Sequence, residues 1–536
     1  MKKKIFEPHA GRLHKPPAAK NTIITTTCCL CFSLCLFIES KAQTTPSLNV
    51  TNIFNEQSVV YNNDSFLHTA WKPILYKDST VAAGTGKWFN RKFFHEHLLQ
   101  VNKPGFNLNG DLIFDEYIGK SSRFVETPML NTRGYEVTGN ISDKFYFETS
   151  FYENQGRFGG YVDSFIRTRG VIPGQNGFKN IGDGKGFDFS YSSSRLVYLA
   201  GKHVMFDLGY GKNFIGDGYR SLLLSDWSFN YPYLHTALTF GKFQYNMMWS
   251  QYISERSSQY NNKAGYFRKW SNTYMIDWKP TKRLSLSVFE TVMWPDQDSL
   301  RNKDMSPWIA SPIIFVHSKE SPAGVPNNVI TGLNVKYRVL KQTHLYGQFA
   351  VNSKGNNNAP GNRFAAQAGI RSGAVLGVKN LSGLAEFNMA QPYMYATNSL
   401  NTNYAHNNQS MAHPQGANFK EGLLLVEYAY KAWRFRAEGF VTKYGADSAS
   451  SANYGHNIFK KLDTRSVADN NSLGQGLPTT IYFADARISY VLNPASNLRI
   501  ESGFTFRNEK NAKVSFEDRI FYIGVRMSFR RIIYDF

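Results

Sequence analysis

The chain has 536 residues, with 61 Lys and Arg against 40 Asp and Glu for a formal net charge of +21, and only four cysteines. All four, Cys28, Cys29, Cys31 and Cys35, fall within the first forty positions, which excludes disulfide scaffolds, thiolate metal sites and cysteine nucleophiles from the rest of the chain. The basic excess calls for an anionic partner, but the basic residues are scattered singly instead of forming a stripe or arm, which disfavours nucleic acid.

At the start, Lys2, Lys3, Lys4, Arg12, Lys15 and Lys20 precede an apolar run from Ile23 to Ile38, followed by Ser40-Lys41-Ala42-Gln43. A basic leader, an apolar stretch and a small residue at the cut describe a signal peptide over residues 1–42, cleaved after Ala42. The run falls short of the roughly 20 apolar residues of a helical membrane span and contains Thr25, Thr26 and Thr27, which disfavours an uncleaved anchor. Lipidation is also disfavoured: the residues before Cys28, Cys29, Cys31 and Cys35 are Thr27, Cys28, Leu30 and Leu34.

Residues 43–104 form the next unit and lack alternation. Between Lys87 and Val101, Phe94, Leu98 and Val101 stand at helical spacing with Phe89 and Phe93 alongside, predicting a small, partly helical element that plugs or caps the periplasmic mouth. His95 and His97 flank Glu96, and imidazole with carboxylate is a common metal-ligand set. On a helix, however, residues two apart point about 200° from each other, so neither a metal nor another cofactor is expected.

From Phe106 onward the pattern alternates with a period of two, in segments of roughly ten residues separated by Gly, Asn, Asp, Ser and Pro, as the strands of a transmembrane barrel require. Trp433, Phe435, Ala437, Gly439 and Val441 make one face against Arg434, Arg436, Glu438 and Thr442. Leu498, Ile500, Phe504 and Phe506 oppose Arg499, Glu501, Thr505 and Arg507; Tyr482, Ala484, Ala486, Ile488 and Tyr490 oppose Asp485, Arg487 and Ser489. Phe145, Phe147 and Phe151 likewise oppose Glu148 and Ser150. A soluble antiparallel sandwich also alternates. Three features tilt the balance: the 31 Tyr and 41 Phe crowd segment ends, where girdles sit; Asn352 to Gly361 and Thr397 to Gly416 are long and Asn-rich, like extracellular loops; and Phe521, Ile523, Val525, Met527 and Phe529 face outward against Tyr522, Gly524, Arg526 and Ser528 in the kind of terminal strand that outer-membrane insertion machinery recognises. The expected fold class is therefore all-β, a transmembrane antiparallel β-barrel of about 16–18 strands over residues 105–529 with the N-terminal plug. Arg530 to Phe536 break the phase and are read as a short periplasmic tail.

The densest unusual stretch, Gly209 to Asp226, has four glycines within ten residues, which lets backbone turn sharply or approach closely. It lacks the Gly-x-x-x-x-Gly-Lys-Ser/Thr of a phosphate loop. One reading is a ligand-facing fold-in within the lumen, where Lys212, Asn213, Asp217, Tyr219, Arg220 and Asp226 bind hydroxyls or carboxylates. The other is a strand-turn-strand corner held by an internal Arg-Asp pair. The inward basic residues Arg434, Arg436, Arg487, Arg499, Arg507 and Arg526 either concentrate anionic solutes in the lumen, Arg434, Arg436 and Arg499 being candidate ligand contacts, or pair with inward acids and hold the barrel open. A hydrolase triad is assembled in space, but no Gly-x-Ser-x-Gly elbow occurs, and a non-enzymatic protein is expected.

The segments Asn131-Thr-Arg-Gly-Tyr-Glu-Val-Thr-Gly-Asn140, Tyr152-Glu-Asn-Gln-Gly-Arg-Phe158, Val171-Ile-Pro-Gly174 and Lys212 to Asp226, with Leu67-His-Thr-Ala-Trp-Lys-Pro73 and the closing Tyr534-Asp-Phe536, resemble RemB-type gliding-motility proteins of Bacteroidetes, which are similar in turn to the capsule-assembly Wzi family. The chain departs at Gly160, where proline is expected. The resemblance implies an outer-membrane barrel of about 18 strands with a helical plug and no catalytic residues. It implies a lectin-like hold on surface polysaccharide for the Wzi-like group, and a part in surface motility for the RemB-like group. Its expected partners are outer-membrane lipid, the insertion machinery and a surface polysaccharide, for which the basic excess favours an anionic one. The rival function is a channel for small anionic solutes.

Overall fold

The computed structural model describes residues 67–74, 86–254, 267–295, 297–298, 301–302, 311–316, 328–352, 361, 363–399, 401–527, 530 and 534–536. The expected signal peptide, most of the Asn352–Gly361 loop, Ser528 and Phe529 lie outside these residues. Among them, eighteen antiparallel strands form one closed barrel. The first nine are β1 Phe106–Ser121, β2 Met129–Ile141, β3 Phe145–Arg157, β4 Gly186–Ala200, β5 Val204–Gly211, β6 Tyr231–Phe240, β7 Phe243–Ile253, β8 Arg268–Trp278 and β9 Leu284–Pro295. The second nine are β10 Asn328–Leu340, β11 Thr343–Asn352, β12 Phe364–Ser372, β13 Leu381–Ala390, β14 Phe419–Tyr430, β15 Trp433–Ala446, β16 Leu477–Asn493, β17 Leu498–Lys510 and β18 Ser515–Arg526.

Each strand pairs with its sequence neighbours, and the barrel closes where Ile520–Val525 of β18 meets Ser121–Glu116 of β1. The other half of that edge of β1 is taken by a short strand, Leu99–Lys103, paired to Gly110–Phe106. Closure matters energetically, because an open edge in hydrocarbon leaves backbone donors and acceptors unsatisfied. No helix among the described residues is long and apolar enough to cross a membrane.

The alternation read from sequence sets which side chains face out. In β18, Phe521, Ile523 and Val525 are about half exposed while Tyr522 and Arg526 are buried. In β15 and β16, Trp433, Phe435, Val441, Tyr482, Ile488 and Tyr490 point outward, and Glu438, Asp485 and Ser489 inward. Turns such as 142–144, 201–203, 241–242 and 431–432 define a short-turn rim; connections 158–185, 212–230, 391–418 and 447–476 define a long-loop rim. Outward aromatic pairs ring the short-turn rim: Phe145 with Tyr198, Phe243 with Trp278 and Trp433 with Tyr490. Such a girdle places amphipathic rings at a lipid boundary.

The interior departs from the expected picture in three places. Helix α1 (Trp88–Phe94) forms, but ends at Phe94 and sits at the short-turn rim, where Asn493 donates from Nδ2 to Lys92 O and Glu96 O at 3.0 and 2.9 Å. The part of the N-terminal region that enters the lumen is Leu67–Ile74, nearly all buried. Of the stretch Thr397 to Gly416, expected as an extracellular loop, the described residues 397–399 and 401–416 are folded inward and almost wholly buried. Of the tail, expected in the periplasm, the described residues lie inside the barrel: Arg530 stacks over Tyr152 at 4.4 Å, and Asp535 and Phe536 are buried toward the long-loop half.

Candidate functional site

The inward loop 212–230 is buried along nearly its whole length, so its backbone polar groups need partners other than water. Local chemistry supplies them. Ser221 Oγ donates to Ile215 O at 2.5 Å and accepts from Leu223 N and Leu224 N. The carbonyls of Leu222 and Leu223 accept from the hydroxyls of Tyr395 and Tyr404 at 2.8 and 2.6 Å. The glycines answer to close approach: Gly216 has φ 143°, and a Cβ there would fall on Gln348, while one at Gly218 would fall on the Glu386 carboxylate.

Around this loop converge three of the segments on which the sequence resemblance rests, 67–73, 171–174 and 534–536. Trp71–Lys72 pairs antiparallel with Phe214–Ile215; Trp71 Nε1 donates to Asn213 Oδ1 at 3.1 Å, and Lys72 Nζ to Gly216 O at 2.7 Å. Lys212 Nζ donates to Gly174 O and Asp226 O at 2.8 and 3.0 Å. Asp217 pairs with Lys336 at 2.5 Å and accepts from Asn334 Nδ2 at 3.1 Å. Burial opposes its charge, but Lys336 and Lys72 overcome this and hold its carboxyl below the usual range.

Tyr219 and Arg220 form the centre. The two backbone N–H groups donate to the Glu386 carboxylate at 2.8 and 3.1 Å. The Tyr219 hydroxyl donates to Asp535 Oδ2 at 2.8 Å and accepts from Arg436 Nη2 at 3.2 Å. Arg220 Nη1 meets Asp535 Oδ2 at 3.0 Å, and its Nε lies 3.5 Å from Glu421. Burial alone would lower the Arg220 pKa; Asp535 and Glu421 raise it above its ordinary value. Tyr219, Arg220 and Arg436 are thus brought into one network, with Asp217 on the same loop paired to Lys336 and with Lys212 and Asn213 at its edge. The acid that Arg220 meets is not Asp217 or Asp226 within the stretch but Asp535, near the far end of the chain, a partner that no spacing in the stretch points to.

The remaining candidates fall elsewhere. Arg434 is an exposed turn residue that donates to Lys431 O and Trp433 O at 2.7 and 2.9 Å, because it stands where β15 leaves the short turn. Arg499 is 2.9 Å from Glu501 near the same rim. Arg436 pairs with Glu427 and Glu438 at 2.6 and 2.9 Å, Arg487 with Asp485 at 2.6 Å, Arg507 with Glu509 at 3.0 Å, and Arg526 with Asp115 and Glu501. Arg436, Arg487, Arg499, Arg507 and Arg526 therefore each lie against a carboxylate.

Above this network, at the long-loop rim, lies an open cavity of about 500 Å³. Its floor is aromatic: Phe165, Trp227 and Phe536 pack with centroids 4.9–5.9 Å apart. On its walls Arg169 stacks on Phe459 at 4.7 Å, and Tyr444 on His456 at 4.1 Å. Polar edges come from Asn408, Gln409, Gln415 and Asn457. His456 donates from its ring to Ala417 O at 2.8 Å, and burial keeps its pKa below the ordinary value. Rigid rings flanked by amides and an arginine offer apolar sugar faces a platform and hydroxyls their partners. These residues escaped sequence reasoning because four connections, 158–185, 212–230, 391–418 and 447–476, contribute them together with Tyr444 of β15 and the terminal Phe536. The one available signal was that each long connection carries aromatics and belongs to the same rim.

By fold, the chain is similar to outer-membrane β-barrels. One is Wzi of Escherichia coli, described as an outer membrane protein involved in group 1 capsule assembly and a carbohydrate-binding β-barrel: TM-score 0.48, 13% identity, covering 78% of this chain and 85% of that one. OprD of Pseudomonas aeruginosa gives TM-score 0.43 and 10% identity over 81% and 97%, and OpdL of the same organism 0.41 and 8% over 79% and 98%. No family model and no curated protein sequence matches the chain.

Proposed function

We propose that this chain resides in a bacterial outer membrane as a non-enzymatic barrel that binds or anchors surface polysaccharide at its long-loop mouth, serving capsule assembly or surface motility. One observation carries the reading: the aromatic-floored cavity at that mouth lies over a lumen occupied by four inward segments, 67–74, 212–230, 391–418 and 534–536. A selective anion channel needs an open path and unpaired positive charge along it. Here the described segments cross the lumen, and Arg436, Arg487, Arg499, Arg507 and Arg526 face carboxylates at hydrogen-bonding distance.

The test combines two measurements on the refolded full chain. Titration with the host's own surface polysaccharides is expected to give saturable binding, and planar-bilayer recordings are expected to stay silent. Large stable open steps without glycan binding would replace this reading with that of a porin for small anions.

A further inference from the structure

Helix α1 presents Trp88, Phe89 and Phe93 to the outside at 61, 66 and 41% exposure, and Leu98 and Leu99 follow at 43 and 50%. Phe89 and Phe93 stack with centroids 5.6 Å apart. So much contiguous apolar surface in seven residues and the turn after them is unfavourable in water and marks a contact with something apolar. The same helix is basic: Lys87 precedes it, no acid stands in its first turn, and Arg91 and Lys92 close its last. Lys92 is turned back to Glu96 at 3.0 Å, whereas Arg91 keeps 36% exposure, 3.7 Å from that carboxylate.

Asn493 fixes where this helix lies, because it ties α1 to the short-turn end of β16. Up the outward face of that strand, Ala486 pairs with Ala437 of β15, and Ile488 with Phe435. The two alanines leave a trough between larger neighbours, and Tyr428, Phe435, Ile488 and Phe504 wall an outward apolar groove of about 460 Å³. Ile488 and Ala486 stand five and seven residues from Asn493, about 16–23 Å along the strand at ~3.3 Å per residue. With the usual strand tilt that is about one leaflet of an ~30 Å hydrocarbon core.

We propose that α1 and this groove together hold a phospholipid of the leaflet on the short-turn side. An acyl chain lies in the groove, the phosphate meets Arg91 and Lys87, and the three aromatics occupy the head-group zone. Charge complementarity selects an anionic lipid, and the tie of α1 to the short-turn end of β16, whose outward face is apolar, selects the membrane over a soluble protein as the occupant. The inference rests on the barrel spanning a membrane, as proposed above.

The full chain is reconstituted in phosphatidylcholine liposomes, and Trp88 is isolated as the difference in emission between the chain and Trp88→Phe. Bromines near the head group are expected to quench that difference more than bromines at mid-chain. Native mass spectrometry with added phosphatidylglycerol is expected to show retained lipid, reduced about fivefold or more in Arg91→Ala/Ala486→Phe, whose changes both point away from the lumen. A barrel that inserts but leaves Trp88 open to aqueous acrylamide, or a double variant that retains as much lipid, overturns the inference while sparing the barrel. Failure to insert at all overturns the membrane reading itself.

Discussion

Arg220 and Asp535, far apart in the chain, meet inside the lumen twice over: Nη1 lies 3.0 Å from the Asp535 carboxylate, and Nη2 donates to its main-chain carbonyl at 2.6 Å. Both are nearly inaccessible to solvent. Removing one partner strands a buried charge, which typically costs about 3–5 kcal/mol. Asp535→Ala is therefore expected to lower unfolding stability by about that much in detergent. The double variant Arg220→Met/Asp535→Ala is expected to lose less than Asp535→Ala alone, and urea titrations of the three forms check this.

The mouth cavity makes a separate prediction. Phe459 is only partly buried, and Arg169 lies over its ring. Phe459→Ala is expected to weaken polysaccharide binding by about 1–2 kcal/mol, or roughly five- to thirtyfold, through the loss of one aromatic anchor. Calorimetric titration measures it, with the melting temperature as the control for folding.

Acid should loosen the inward loops. Burial pushes the pKa of His406 down to about 3, and burial also lowers those of His413 and His456. These imidazoles stay neutral when folded, whereas unfolded histidines gain protons below their ordinary pKa of about 6.5. For His406 the unfolded state therefore binds more protons between about pH 6.5 and 3, and stability falls as pH falls, by up to about 1.4 kcal/mol per unit; His413 and His456 act in the same direction. The unfolding midpoint is expected to drop between pH 7 and pH 5, and His406→Gln is expected to make that drop shallower.

Gly160 opens helix α2 (Gly160–Arg169), a position where proline is ordinarily tolerated. Here its N–H donates to Asp518 Oδ2 at 2.8 Å, and a Cβ would lie 2.8–2.9 Å from the rings of Phe124 and Phe516. Gly160→Pro removes the donor and crowds both rings, so a loss of about 1–3 kcal/mol is expected. A thermal melt no lower than that of the parent chain would contradict this.

The wall of the barrel was legible because one side of each strand meets an apolar surround and the other a polar lumen, which imposes a period of two on the sequence. Phe521, Tyr522, Ile523 and Arg526 fall where alternation puts them. The lumen's contents were not legible in the same way. Leu67–Ile74 and loop 212–230 have no repeating geometry, so no periodicity announces them. Asparagines in 391–418 look alike whether water or protein satisfies them. In the structure, Asn407, Asn408 and Asn418 take positive φ values of 50°, 59° and 55°. Asn418 Nδ2 also donates to the carbonyls of Gly445, Tyr454 and Gln475. Arg434 was misplaced for a simpler reason: parity assigns a face but not a depth, and at the strand end its guanidinium reaches the turn carbonyls.

The pairing of Trp71–Lys72 with Phe214–Ile215, and the contacts of Asp535 with Tyr219 and Arg220 farther along the same loop, also bear on how the molecule is made. Its interior is woven from pieces contributed near both ends and the middle of the described chain, so few of these contacts are local. Chains dominated by distant contacts fold slowly, since loop closure must precede the contacts that reward it. Wall and filling should consequently mature together, the lumen's contacts being complete only when Asp535 has reached Arg220.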